Sequence, residues 1–141
     1  MKNNKLLMIM LILLVAITLV GAIAVVVVLK FTGQEDKPPT IDEVLEASVD
    51  VPEITTNLAS DDFIRISFKI QTDSKKAKEE LEKRDFQVKN IIIEELSEKK
   101  ADELKGKEGK TALEESLKVK INELMQEGKV EQVYITESLL Q

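Results

Sequence analysis

Cysteine and histidine are both missing from the 141 residues. Their absence excludes disulfides, thiolate chemistry, zinc sites and imidazole acid–base work. Tryptophan is missing too, and four Phe and one Tyr make up the aromatic content, so the aromatic lining usual in small-molecule pockets is scarce. The five glycines never fall in a G-x-G-x-x-G or P-loop spacing, and nucleotide binding has no support. Positive charge is in deficit, 20 Lys and Arg against 26 Asp and Glu. An acidic surface is repelled by phosphate backbones and by anionic headgroups, which argues against nucleic acid and against a membrane-hugging surface.

What the chain does have is an uninterrupted apolar run. Leu6 to Leu29 holds 24 residues without an ionisable side chain, flanked by Lys2 and Lys5 on one side and Lys30 on the other. As a helix it reaches about 36 Å, enough to cross a hydrocarbon core of about 30 Å with some tilt. The triplet Ala22-Ile23-Ala24 has the form of a signal-peptidase site, but it lies inside the apolar stretch rather than after it,. No amphipathic face can be drawn through the run, and the remaining chain is too small to bury it. The sequence therefore predicts one transmembrane helix in contact with the lipid bilayer. Orientation does not follow from charge, because Lys2 and Lys5 balance Lys30 and Lys37,.

Composition divides the chain into a tail at 1–5, the span at 6–29, a linker at 30–40 and a domain at 41–141. Gly33, Pro38 and Pro39 mark the linker,. The domain's 101 residues carry 24 acidic and 16 basic side chains, a size suited to one small core.

Thr40-Ile41-Asp42-Glu43 has the form of a capping box opening a short helix that ends near Ser48,. Pro52 interrupts, and a short strand is expected from Ile54 to Leu58, turning at Ser60-Asp61-Asp62. Ile64, Ile66, Phe68 and Ile70 then alternate with Arg65, Ser67, Lys69 and Gln71, the clearest strand in the chain,. Asp73 or Ser74 caps a helix paired through Glu79–Lys83 and Glu80–Arg84, whose apolar face thickens at Phe86, Val88, Ile91, Ile92 and Leu96,. The spacing Leu113, Leu117, Ile121, Leu124 predicts a further helix over 111–127 with Gly128 as its C-cap,. A last strand runs from Val130 to Leu140. The expected fold is α+β, helices packed on one face of a small, mostly antiparallel sheet.

Several patterns imitate chemistry. Gly106-Lys107-Glu108-Gly109 has the GXXG form of a nucleic-acid clamp,, yet it contains a glutamate on an acidic domain and reads as a helix–helix turn. Asp61-Asp62, Glu79-Glu80, Glu94-Glu95 and Glu114-Glu115 are adjacent carboxylates; neighbours on a helix point about 100° apart and do not converge on a metal or substrate. Ser74-Lys75 and Ser97 to Lys100 supply a hydroxyl and an amine without an oxyanion hole. No catalytic site, cofactor or metal site is expected.

Taken in order, the span, the Thr40–Glu43 helix, the strand Asp62–Ile70, the segment Leu81–Ile93 with its Lys83-Arg84 pair and isoleucine run, Glu108-Gly109-Lys110 before a long helix, and the ending Val130-Glu131-Gln132-Val133-Tyr134-Ile135-Thr136 resemble the FliL family of flagellar basal-body-associated proteins. Many members carry a proline at or near the position of Phe86, a difference that affects a helix bend. The resemblance implies a cytoplasmic N-terminus and an extracytoplasmic domain, which would break the tie in the charge count. It also implies a stomatin- and prohibitin-like domain that forms homo-oligomeric rings, around the MotA/MotB stator, supporting flagellar rotation, swarming and chemotactic motility. Candidate partner-facing groups are the strand row Arg65, Lys69 and Gln71 and the helix surface at Lys83 and Arg84. The rival reading is a membrane-tethered ligand-binding or sensory module unrelated to the motor.

Overall fold

The computed structural model describes residues 2–32 and 37–141, in two compact units, 1–38 and 39–141. Part of the expected linker, residues 33–36, lies outside the described residues.

The first unit contains one helix, α1 (Lys2–Thr32), which continues through Lys30, Phe31 and Thr32, three residues into the expected linker. Leu6 and Leu29 and the apolar side chains between them are exposed, with no protein packed against them. The polar groups on the helix are satisfied locally: Thr18 Oγ1 donates to Leu14 O at 2.7 Å and Thr32 Oγ1 to Val28 O at 2.5 Å. A helix that is apolar all round and closes its own hydrogen bonds fits a membrane anchor.

The second unit contains α2 (Ile41–Glu46), β1 (Ser48–Asn57), β2 (Phe63–Thr72), α3 (Lys75–Lys83), α4 (Asp85–Ser97), a 3-10 turn at Ala101–Leu104, α5 (Gly106–Asn122) and β3 (Val130–Leu140). The strands form an antiparallel sheet in the order β1-β2-β3. The α+β reading with helices on one sheet face holds, and β3 pairs with β2 alone, although a last strand from Val130 to Leu140 is expected from the sequence to pair with both earlier strands.

Alternation on β2 sets the two faces. Ile64, Ile66, Phe68 and Ile70 are almost wholly buried, and against them pack Leu81 of α3, Val88, Ile92 and Leu96 of α4, and Leu113, Leu117 and Ile121 of α5. Burying a side chain of this size contributes about 1.5–3 kcal/mol, so this one row and its cover supply most of the drive to fold. The isoleucine run is helical, as the spacing Val88, Ile92, Leu96 requires.

Several boundaries differ from expectation. β1 begins at Ser48, well ahead of Pro52, because the register shifts between Val51 and Ile54 and the proline sits in that irregularity of an edge strand, where its missing N–H breaks no ladder. The long helix after Ser74 is two helices, broken at Arg84 (φ −91, ψ 15). Phe86, two residues before Val88 on α4, faces away from the buried stripe and is exposed,. α5 starts at Gly106 and ends at Asn122, so Gly128 is not its C-cap. Instead Gly128, at φ +133, lets the chain pass against Asp73, Ser74 and Ala77.

The glycines of the GXXG pattern have separate duties rather than forming one turn. Gly106 opens α5 at φ +72 with open space around it, whereas Gly109 lies within α5 against the 3-10 turn. A Cβ on Gly109 would stand 2.5 Å from Glu103 O and 2.8 Å from Leu104 C. Gly109→Ala must therefore move backbone and is expected to cost about 1–3 kcal/mol, while Gly106→Ala meets only the left-handed penalty of about 1 kcal/mol. Parallel urea melts check the order; equal losses would mean that the close approach carries no weight.

Candidate functional site

The sheet has a face that no helix covers, and the side chains on it come from the polar row of β2. Arg65, Ser67, Lys69 and Gln71 point away from the buried row, along about 20 Å of strand. Each long side chain has a neighbour. Arg65 Nε stands 3.9 Å from Glu53 Oε1, Lys69 Nζ stands 3.2 Å from Asp50 Oδ1, and the Tyr134 hydroxyl donates to Gln71 Oε1 at 3.2 Å. The expected row thus exists as one surface, its two cations partnered by acids of β1 and exposed to water. Exposed pairs of this kind contribute little to stability, and they remain exchangeable for a partner's charges.

Lys83 and Arg84 do not form a second surface of the same kind. Lys83 is exposed and makes no ion pair among the described residues, the expected Glu79 pair included. Arg84 is turned inward, its side chain only 22% exposed, with Nε 3.6 Å from Glu80 Oε2 and Nη1 donating to Gln87 Oε1 at 2.8 Å. Its Nε is buried without a hydrogen bond. The guanidinium thus bridges Glu80 of α3 and Gln87 of α4 across the helix break.

Two carboxylates that look like surface charge in the sequence are structural. Glu80 accepts from the backbone N–H of Gln126 at 2.6 Å and of Glu127 at 3.0 Å. Those amide bonds, with Arg84 adding its charge, hold its carboxyl below the usual glutamate value,. Glu95 is buried on the inner face of α4, on the stripe of Val88 and Ile92. Burial favours its neutral form, but hydrogen bonds from Lys120 and from Ser116 (2.8 Å), reinforced by Lys99 at 3.5 Å, outweigh it and hold the carboxyl below the usual value. The same contact raises the Lys120 ammonium. The position of Glu95 on an apolar stripe is the sequence signal that would have found this site.

Among the described residues no three acidic side chains come together as a metal site. A depression of about 560 Å³ between α2 and the start of α3 is lined by Pro39, Val44 and Ala47 among polar side chains, without an aromatic ring.

Comparison with known proteins gives a family for this arrangement. Residues 48–141 match the family described as flagellar basal body-associated protein FliL. The chain is 51% identical over 121 residues to the flagellar protein FliL of Bacillus subtilis (strain 168), covering 86% of each chain. It is 30% identical over 93 residues to the flagellar protein FliL of Aquifex aeolicus (strain VF5), covering 64% of this chain and 58% of that protein.

The lowered Glu80 and Glu95 values set a direction with pH. A carboxyl whose folded value lies below its unfolded one binds fewer protons in the fold, so its contribution is complete above the unfolded value and is lost as pH falls through the folded one. Glu95→Gln is expected to lower the melting temperature at neutral pH and to leave little difference from the parent in acid, while Glu80→Gln flattens the same acid limb. Melts across pH 7 to 3 read both; a Glu95→Gln deficit that stayed constant with pH would show that its charge is not what Lys120 and Ser116 recognise.

Proposed function

The chain belongs to the FliL family of flagellar basal-body-associated proteins, and from that premise we propose that it is a non-enzymatic, single-pass membrane protein that supports the flagellar stator. In this reading α1 crosses the cell membrane with its N-terminus in the cytoplasm and the domain outside. The domain is used as the stomatin and prohibitin group uses its own, as the building block of a ring around the extracytoplasmic segment of MotA/MotB. Family membership carries the reading, and the uncovered sheet face gives it a means.

The work is steric and electrostatic. A tether confines the domain to a layer near the membrane and raises its effective concentration toward neighbours, so contacts that are weak singly suffice together. Arg65 and Lys69, held by exposed acids of β1, can exchange those partners for carboxylates on the stator at small cost, because an exposed ion pair in water is worth little. Holding the stator segment in its active arrangement then aids rotation under load, swarming and chemotactic swimming.

Because the chain has no cysteine, Lys69→Cys gives a unique probe in the living cell. A membrane-impermeant maleimide is expected to label it from outside, and a short crosslinker at the same site is expected to capture a stator subunit. Labelling only after the cell is opened reverses the topology; outside labelling with captured partners unrelated to the motor leaves a tethered module of another kind.

A further inference from the structure

Among the described residues the sheet ends in two edge strands, β1 and β3, and they are not alike. On β1 the pairing is interrupted between Val51 and Ile54, where Pro52 offers no N–H,. On β3 the far end is regular: Gln141 N donates to Phe63 O and Phe63 N to Gln141 O, both at 2.8 Å. Bonded and unbonded pairs alternate along an antiparallel ladder, so Leu139 and Glu137, opposite Arg65 and Ser67, bond to β2. Ser138 and Leu140 then turn their N–H and C=O outward, where no other element among the described residues meets them. Thr136 to Leu139 are exposed. The stretch has neither the proline nor the lysine that commonly guards an open edge.

Earlier in β3 the same edge is closed. Ile135 N donates to Glu114 Oε2 at 2.9 Å, so a carboxylate of α5 stands where the carbonyl of a further strand would stand. α5 runs antiparallel beside β3. Asn122 near its end bonds N and O of Val130, Glu114 meets Ile135, and Lys105, just before its start, lines a depression of about 370 Å³ with Leu140 and Gln141. Residues 106–113 therefore flank β3 from Thr136 onward. Lys110 and Lys107, four and seven residues before Glu114, share its side of the helix. Both are exposed and have no ion pair among the described residues. The acids around them are engaged or turned aside. Asp102 pairs with Lys105 at 3.0 Å, Glu103 accepts from Lys100 N at 2.6 Å and Asp62 from Ser60 Oγ at 2.7 Å. Glu108 stands about 200° around α5 from Lys110, and Glu137, opposite Ser67, belongs to the uncovered sheet face.

We propose that an extended segment of another protein, with carboxylates at alternate positions, adds to the sheet as a fourth strand along Thr136–Leu140. Its backbone bonds to the outward groups of Ser138 and Leu140, and one of its two side-chain rows faces α5. Lys107 and Lys110 await that row and favour acids in it. So short a stretch offers few main-chain bonds, and those hold any sequence alike; the two lysines supply the selection. Glu114 on Ile135 N sets where the added strand stops. The site is separate from the Arg65 and Lys69 row and does not depend on what that row meets.

The full chain in detergent micelles can be offered two short fluorescent peptides, one alternating Glu with Thr and the other Lys with Thr. The Glu peptide is expected to bind, more weakly as salt is added, and to slow hydrogen exchange at the Ser138 and Leu140 amides. Ser138→Pro removes one outward N–H without touching the ladder to β2 and is expected to weaken that binding roughly tenfold. Lys107→Glu/Lys110→Glu alters exposed side chains only and is expected to turn the preference toward the Lys peptide, which keeps the test decisive should the proline variant unfold. Equal binding of the two peptides, no binding of either, or binding without protection of those amides overturns the proposal. Binding lost in Arg65→Glu/Lys69→Glu and kept in the α5 variant assigns the peptide to the sheet face and overturns it too. Amides of Ser138 and Leu140 protected in the parent chain alone, increasingly with protein concentration, would give the edge to a second copy, with the same result.

Discussion

Among the described residues β2 is the only strand with a neighbour on each side, and its strict alternation decides how the other elements of the domain pack. With a side-chain period of two, one row must face the core and the other must face away. The inner row is apolar from Ile64 to Ile70 and ends in Thr72, whose buried hydroxyl donates to Ala47 O, and three helices cover its apolar part. The outer row is Arg65, Ser67, Lys69 and Gln71, which no helix could bury without removing charges from water. A one-sided sheet and a bare polar face are thus one consequence, and the candidate partner surface exists because the core does.

The acid surplus is not spread idly over the surface. Glu80 holds the amides of Gln126 and Glu127, Asp73 accepts from Lys129 N at 3.2 Å, and Glu114 accepts from Ile135 N at 2.9 Å beside an irregularity in β3. Asn122 completes the set, its side chain bonding both N and O of Val130. These groups fasten the return from α5 into β3, a stretch with little regular structure to occupy its backbone donors. Glu95 does the corresponding work between α4 and α5. Composition alone reads such carboxylates as solubility, whereas four of them are bound to backbone or to a buried network.

Periodic features were legible in the sequence and local exceptions were not. The β2 alternation, the Thr40–Glu43 box, the stripe Leu113, Leu117, Ile121 and the Glu80–Arg84 pair all follow from spacing within a few residues. Pro52 hides the first half of β1, because a proline argues against a strand unless the pairing irregularity and the edge position are known. The break at Arg84 has no glycine or proline to announce it, although the guanidinium's partners there, Glu80 and Gln87, are only four and three residues away. Alternation sets Arg65, Lys69 and Gln71 on the outer face of β2, whereas spacing does not show how far Arg84 is turned inward. Glu95 stood on a readable stripe, but its partners Ser116 and Lys120 lie more than twenty residues away, and no local pattern brings them to it.

Phe86 stays outside the core because of where it falls on its helix. About 200° separate it from Val88 on α4, and on a straight continuation of α3 it would stand about 140° from Leu81, so the buried stripe passes it by and leaves the ring exposed. Patches of one or two apolar residues are too small to hold free partners together in dilute solution, but an anchor that concentrates the domain in a layer lowers the affinity each contact must supply.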